Sequence, residues 1–237
     1  MRKNMSAKKS GWETELWSYL SRGDGINCPV YESCKLRLKG TWCLSDHQDY
    51  YEARNKLIDE DDLADTPGIE FKLPNCPESG RIFQLITRLA TKYLVEAGID
   101  RPPVPSNIIT HDYDNIPIEV REVPLKAYHG ALWGLSSCWV IQLSSYDKPA
   151  RQRFTLYHEI FHILAHCRST PLFKKSSGRE GSFNELLADH FAAVMLLPEE
   201  WVREKWTEVK DLSKMATIFD VPKPVMYLSL RGMGLRT

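Results

Sequence analysis

The amino-acid sequence predicts an α+β protein in which a small mixed or antiparallel sheet packs on one long helix and on the helix that follows it. Three observations predict this class. β-type alternation is confined to residues 116–143, apolar residues recur at helical spacing on both sides of that stretch, and four of the six cysteines fall within residues 1–76. The cysteine-rich N-terminal region is expected to be helical and to precede the sheet.

The N-terminal region is expected to form a module of its own, at residues 1–75. Apolar residues recur at helical spacing over residues 12–20, and residues 50–58 form a second candidate helix. We place the boundary with the next domain between Gly68 and Gly80.

The second predicted domain covers residues 76–237 and begins with a helix. Apolar residues at helical spacing predict that helix over residues 82–97, and Gly98 follows in the usual stop position, before a proline-rich linker. After the sheet, a helix is expected from residue 149 to about 167, and a second one over 182–198. A polar loop separates these two helices, and shorter helices fill the rest of the chain.

The sheet is predicted from alternation and from glycine positions. Ile116, Ile118 and Val120 alternate with polar or charged residues, which is typical of a strand with one buried face. Gly130 and Gly134 punctuate the stretch and allow hairpins or bulges.

Charge and composition exclude several classes of partner and location. Lys+Arg and Asp+Glu both number 31 in a chain of 237 residues, so net charge does not favour nucleic acid or an anionic membrane as the main partner. The basic start of the chain lacks a following apolar segment, and no apolar run is long enough for a membrane helix. We therefore expect a cytoplasmic protein, whose cysteines are thiols or metal ligands rather than disulfides.

One helix carries a metal-binding motif, His158-Glu159-Ile160-Phe161-His162. Histidines four residues apart on a helix have Cβ atoms about 6 Å apart, so both imidazoles can reach one zinc ion at about 2.0–2.1 Å. Glu159 is offset by about 100° around the helix, beside the metal, where it can hold a water molecule as the catalytic base. The alternative is a buried helix with two surface histidines.

A catalytic zinc ion needs a third protein ligand, and Glu185 is the better candidate. His166 continues the series of histidines, but eight residues of helix span about 12 Å, which is too far from His158 to share an ion. Glu185 lies near the start of the next helix, and Asp189, one turn further on, could orient a ligand histidine by accepting its second N–H. Alternatively, Glu185 forms a helix cap with Ser182.

Two segments of the sequence closely resemble the ImmA/IrrE metallo-endopeptidases. The segments are RFTLYHEIFHILAH from Arg153 to His166, and Glu185-x-x-Ala188-Asp189-x-Phe191-Ala192-Ala193 followed by Leu196-Leu197-Pro198. Upstream, Pro102-Pro103-Val104-Pro105 and the first strand are also similar to that family, so the resemblance covers about residues 101–231. Tyr157 stands where the family usually has a small residue.

Motif and resemblance together predict a zinc-dependent, site-specific endopeptidase with Glu159 as its base and His158, His162 and Glu185 as its zinc ligands. The resemblance implies a gluzincin-like (zincin-like) fold and a protein substrate, commonly a DNA-binding helix-turn-helix repressor. One edge of the sheet could bind an extended substrate strand. The alternative is a non-enzymatic regulatory or antitoxin-like binding protein, which uses the cysteine-rich module and the C-terminal tail. The presence of Glu159 argues against this alternative, because a protein that only binds its partners needs no catalytic base.

The N-terminal cysteines are candidates for a second site. Four thiolates could hold a second zinc ion or an iron–sulfur cluster, and the residues concerned are Cys28, Cys34, Cys43 and Cys76, with His47 close to them. Their spacing lacks the C-x-x-C pattern, so scattered buried thiols are the alternative. The tail at 212–235 is expected to form two short helices, and direct nucleic-acid binding by it is not expected, because few Lys or Arg share a face.

Overall fold

The computed structural model of the protein describes residues 11–20, 77–126, 128–166 and 182–235. Several features predicted from the sequence lie outside these ranges, namely the candidate helix at 50–58, the polar loop at 168–181, and Cys28, Cys34, Cys43, His47, Cys76 and Cys167.

Within the described ranges the chain forms seven helices and three strands, an α+β architecture as predicted. In chain order the elements are α1 (Gly11–Leu20), α2 (Pro77–Glu96), β1 (Ile118–Val123), β2 (Gly130–Gly134), β3 (Trp139–Ser144), α3 (Pro149–His166), α4 (Ser182–Leu196), α5 (Glu199–Val209), α6 (Leu212–Phe219) and α7 (Lys223–Gly232). None of these helices has both the length and the apolar character needed to cross a membrane.

The three strands form one mixed sheet with the order β1-β3-β2. β1 runs parallel to β3, with Ile118 opposite Trp139. β2 runs antiparallel to β3, with Leu132 opposite Ile141. β3 is central and buried along almost its whole length, which agrees with its nearly continuous apolar sequence.

β1 is less buried than its alternating sequence predicts. The alternation would place Ile118 and Val120 together against the core, but Val120 is 47% exposed and only the two ends of the strand are partly buried. α3 packs on β2 and β3, so the helix layer leaves the middle of this edge strand uncovered.

Gly130 and Gly134 bound β2 itself, instead of marking a turn or a bulge. A Cβ atom on Gly130 would lie 2.6 Å from Cγ2 of Thr155, and one on Gly134 would lie 2.9 Å from the ring of Trp139. The glycines therefore permit close approach of neighbouring side chains to the strand, which is another role of glycine within a sheet.

The helices form a layer against one face of the sheet. α3 packs on the sheet and on α4, and α4 also packs on α2. One face of α2 is almost fully buried, as its helical spacing predicts, and that face carries Ile82, Leu85, Ile86 and Leu89. Gly98 follows this helix with φ of 67°, and the N–H of Ile99 bonds to the carbonyl of Leu94 at 2.9 Å, as in a Schellman motif.

α1 packs on α2 and belongs to the same hydrophobic core. Leu16 is fully buried in that core, and Glu15 accepts two hydrogen bonds from Arg81, at 2.9 and 2.8 Å. The guanidinium of Arg88 lies 5.0 Å from the ring centroid of Trp12. The first predicted helix thus packs on the second predicted domain. The domain boundary between residues 68 and 80 stays a prediction.

The C-terminal helices connect to the start of α3. Asp211 caps the start of α6, and its carboxylate accepts from the N–H of Lys214 at 2.7 Å. Asp220 follows the end of α6 in the left-handed conformation, with φ of 51°. The carboxylate of Asp220 pairs with Arg153 of α3, and the same guanidinium donates to the carbonyl of Val104. Three separate parts of the chain therefore meet at one arginine.

Candidate metal centre

The motif residues lie on the side of α3 that faces α4. The imidazoles of His158 and His162 are one helical turn apart, with ring centroids 4.9 Å apart and an interplanar angle of 67°. Their Nε2 atoms are 3.2 Å apart. Both rings are largely buried, with 14% of the His158 side chain and 8% of the His162 side chain exposed. Two nitrogen donors therefore point at the same place.

Glu185, in the first turn of α4, adds a carboxylate to this pair. Its Oε2 lies 3.1 Å from Nε2 of His158, and its Oε1 lies 3.4 Å from Nε2 of His162. One ligand atom from each of the three residues lies within 4.8 Å of the others. Two imidazole nitrogens and one carboxylate oxygen match a common zinc donor set, so the residues fit a divalent cation.

The charges in this group hold Glu185 in its ionised form. Burial raises the pKa of a carboxyl group, but the neighbouring His162 and His158 outweigh burial and bring the pKa of Glu185 well below its ordinary value. The carboxylate is directed at the imidazoles. The side chain of Ser182, its alternative partner in a helix cap, lies outside the described positions.

Asp189 follows Glu185 by one turn of α4 and reaches the other nitrogen of His158. Its Oδ1 lies 2.7 Å from Nδ1 of His158, and the aspartate is 5% exposed. Burial lowers the pKa of His158, but hydrogen bonds to Asp189 and Glu185 raise it well above the ordinary histidine value. A proton shared with Asp189 at Nδ1 leaves Nε2 directed at the other donor atoms.

Glu159 belongs to α3, and its side chain lies against β2, next to this group. It is 4% exposed, and its Oε2 has no hydrogen-bond partner among the described residues. Burial raises the pKa of this carboxyl group, although His158 and His162 oppose the shift. A buried carboxylate oxygen without a partner is rare, and a raised pKa suits a group that takes up a proton.

Gly130 brings β2 over Glu159. A Cβ atom at this position would lie 2.9 Å from Oε1 of Glu159, so any other residue would force the carboxylate or the strand to shift. Gly130 was predicted to allow a hairpin or bulge, and this contact was missed. A glycine inside a predicted strand was the available signal, since it often marks close approach of another group.

The edge of β2 that faces away from β3 carries backbone hydrogen-bonding groups beside Glu159. The N–H of Ser144 donates to the carbonyl of His129, and the N–H of Leu135 donates to that of Cys138, both at 2.9 Å. Pairing alternates along an antiparallel ladder, so the N–H and C=O groups on the intervening residues point away from β3; these residues are Gly130, Leu132 and Gly134. No other described strand pairs with that edge.

Two residues close to the motif in sequence are engaged elsewhere. Tyr157 is fully buried, and its hydroxyl donates to the carbonyl of Pro105. Burial raises the pKa of Tyr157. His190 approaches Thr87 and the carbonyl of Phe83 through Nε2, at 3.1 and 3.2 Å. Tyr157 therefore fixes α3 to the linker before the sheet, and His190 fixes α4 to α2.

Part of the chain is similar to a known protein family, and the chain is similar to solved structures. Residues 114–230 match the family model Peptidase M78, the IrrE N-terminal-like domain. No curated protein matches the chain. Among solved structures, a Mycobacterium tuberculosis transcriptional regulator is similar to it, with a TM-score of 0.47 and 14% identity over 75% of this chain. The chain spans 49% of the length of that regulator.

The fold and the side-chain arrangement define an α+β domain of the zincin-like class, in which a His-Glu-x-x-His helix packs between a small sheet and the next helix. Through residues 114–230 the chain belongs to the IrrE N-terminal-like family of peptidases. The family predicted from the resemblance of residues 101–231 is thereby confirmed.

Proposed function

We propose that the protein is a zinc-dependent, site-specific endopeptidase in which His158, His162 and Glu185 hold the ion and Glu159 is the catalytic base. The observation that carries this proposal is the convergence of two imidazoles and a carboxylate, with ligand atoms within 4.8 Å of one another. The family match supports a peptidase, and the buried, unpartnered oxygen of Glu159 supports its role as base.

The protein's own residues divide the chemistry between them. A zinc ion held there would supply Lewis-acid polarisation of the scissile carbonyl and a lowered pKa of water. Glu159 takes a proton from the attacking water and passes it to the leaving amide nitrogen. Asp189 keeps Nδ1 of His158 protonated, so that Nε2 is available as a donor of its lone pair.

The substrate binds as an extended segment along the edge of β2 with which no described strand pairs. The outward-pointing N–H and C=O groups of Gly130, Leu132 and Gly134 suit strand addition. Gly130 lies against Glu159, so a segment paired with this edge passes the base. The sheet edge anticipated from the sequence is thus assigned to β2.

The substrate is an intracellular protein, and the family resemblance points to a DNA-binding helix-turn-helix repressor. An unselective protease would harm the cell that makes it, so cleavage must be restricted. An edge that accepts only extended segments provides one restriction, and docking of the folded target elsewhere provides another. Generic substrates such as casein should therefore be cut slowly or not at all.

The test is cleavage of candidate repressors by the purified full-length protein, with and without a chelator, with fragments identified by mass spectrometry. We expect one repressor to be cut at few positions, and the chelator to stop the reaction. Degradation of many unrelated unfolded proteins at a rate comparable to that of the repressor would contradict the proposed specificity. It would not contradict the proposed peptidase activity. Cleavage that persists after complete removal of metal would contradict the zinc mechanism.

A further inference from the structure

The outer face of β2 carries large apolar side chains that are exposed. Trp133 is 56% exposed and Leu135 is 54% exposed, whereas Leu132 is 2% exposed and lies in the core next to α3. Side chains alternate between the two faces of a strand. The N–H of Leu135 bonds to the carbonyl of Cys138, which continues the ladder beyond β2. Trp133 and Leu135 therefore share the face that points away from the helices.

The indole of Trp133 is held in place by the neighbouring strand. Its Nε1 donates to Oε1 of Gln142 at 3.2 Å. Trp133 is also the direct cross-strand partner of Val140, which is 4% exposed. A side chain fixed by its own sheet loses little conformational freedom when another molecule contacts it, so the indole is ready to form part of a binding surface.

The same strand presents this apolar face and a backbone edge with which no described strand pairs. An extended peptide that pairs with Gly130, Leu132 and Gly134 would become the next strand of the sheet. Every second side chain of that peptide would then lie on the outer face, as a cross-strand neighbour of Trp133 and Leu135. The intervening side chains would face the helix layer and Glu159.

We infer that Trp133 and Leu135 select substrate segments with large apolar side chains at alternate positions, three to five residues along the strand from Gly130 and Glu159. The inference rests on the proposed peptidase function and adds the class of sequence that this site accepts. Apolar and aromatic cross-strand pairs favour one another over charged or small neighbours. Trp133 and Leu135 would thus be residues that determine specificity, apart from the residues that perform the chemistry.

The test uses binding, which does not depend on turnover. Full-length protein carrying Glu159→Gln is used to select phage-displayed random peptides, and the affinity of a selected synthetic peptide is then measured by fluorescence polarisation. Selected peptides should carry large apolar residues at alternate positions. Trp133→Ala should weaken binding by a factor of about five to ten, the equivalent of one aromatic contact. Val120→Ala, an exposed apolar position on the opposite edge, should change binding less than about twofold.

Methylation of the peptide's backbone amides, one at a time, tests the pairing itself. Only every second amide would donate to the edge of β2, so methylation should abolish binding at alternate positions and have little effect at the others. Equal effects at neighbouring positions, peptides without alternate apolar residues, or unchanged affinity in Trp133→Ala would each overturn the inference.

Recognition and chemistry are separated by a cleavage assay. If selected peptides bind in this pattern and the wild-type protein never cleaves them or a repressor, the proposed chemistry fails and the recognition stands. If the wild type cleaves a repressor and Trp133→Ala does so with an unchanged KM, the recognition fails and the proposed chemistry stands.

Discussion

Substitutions at different residues of the site should remove different properties, either metal binding or proton transfer. In the proposed site, His158, His162 and Glu185 would contribute the ligand atoms, and Asp189 reaches the far nitrogen of His158. One carboxylate oxygen of Glu159 has no hydrogen-bond partner among the described residues. The carboxylates of Glu185 and Asp189 can balance the two charges of a zinc ion, which leaves the carboxylate of Glu159 for proton transfer. Metal content and catalysis should therefore respond to different substitutions.

The ligand set predicts which changes remove zinc. His158→Ala, His162→Ala and Glu185→Ala should each lose the ion, because the two remaining ligands hold zinc poorly, whereas the wild type should carry about one zinc per chain at this site. Metal content by mass spectrometry, together with circular dichroism for the fold, measures this. His111→Ala, at an exposed histidine far along the chain from the motif, is the matched control. Full zinc content at this site after a ligand substitution would refute the assignment.

Glu159→Gln separates proton transfer from metal binding. The amide cannot accept a proton from water, so cleavage should fall by a factor of at least about 10² to 10⁴, with zinc content unchanged. The measurement is the rate at which a target repressor is cut, beside metal analysis of the same preparation. Wild-type rates in this variant would show that Glu159 is not the base.

The arrangement of these side chains within each helix was predictable because it depends on local helical geometry, whereas the meeting of the two helices at the site depends on their packing. A spacing of four residues places His158 beside His162 and Glu185 beside Asp189, whatever the rest of the fold does. The partner of Glu159 across the interface was not predictable in this way. Gly130 lies in another element, and only tertiary packing brings its backbone to the carboxylate.

Among the secondary-structure elements, β2 and α3 are in contact at Glu159, the proposed base. Thr155 and Glu159 are one turn apart on α3, and both meet the backbone of β2 at Gly130. Protein interiors are closely packed, so an added methyl group must move one of these partners.

Gly130→Ala should therefore impair both stability and catalysis. The new Cβ would lie 2.6 Å from Thr155 and 2.9 Å from Glu159, and overpacking of this kind costs about 1–3 kcal/mol. Chemical denaturation and the cleavage rate measure the two effects. In a Thr155→Ser background, which removes the nearest methyl group, the loss of stability should be smaller.

A matched glycine distinguishes this contact from a general effect of the substitution. Gly232 lies in α7 and would meet nothing within 4 Å of an added Cβ, so Gly232→Ala should be neutral or stabilise the protein by about 0.4–1 kcal/mol. Equal behaviour of the two alanine variants would contradict the proposed contact.

Element types were predictable from periodicity, but strand order was not. The helix predicted over 149–167 is observed at Pro149–His166, because its apolar spacing and its proline start are local signals. The parallel pairing of β1 with β3 joins residues that β2 separates in the chain, and nothing in the alternation encodes it. For the same reason the exposure of Val120 at the edge of the sheet was missed.

For the whole molecule, α1 shows that residues before the predicted domain boundary contribute to the common core. Leu16→Ala should reduce the free energy of unfolding by about 2–5 kcal/mol, as for other fully buried leucines. Thermal and chemical denaturation measure this, with Val95→Ala as the control, since Val95 is 72% exposed. A protein that begins at residue 76 should be destabilised in the same direction. Undiminished stability in that shortened protein would support the predicted boundary.

The proposed second site in the N-terminal module has its own test. A cluster or a second zinc ion held by Cys28, Cys34, Cys43 and Cys76 predicts either brown, anaerobically purified protein or metal in excess of the His-Glu site. The double change Cys28→Ser/Cys34→Ser should remove that metal and leave the zinc at His158 in place. Colourless protein with a single metal ion, unchanged in the double variant, would leave the buried-thiol interpretation.

The alternation of side chains along β2 has a consequence for how such a protein can diverge. Substitutions at Ala131, Trp133 and Leu135 alter one surface, while Gly130 keeps β2 close to α3 and Leu132 stays in the core. Substitution of these outward-facing side chains can therefore change which substrate sequences are preferred, with no repacking of the interior. Exchanging those three side chains between related peptidases should transfer preference between them while each retains its own stability.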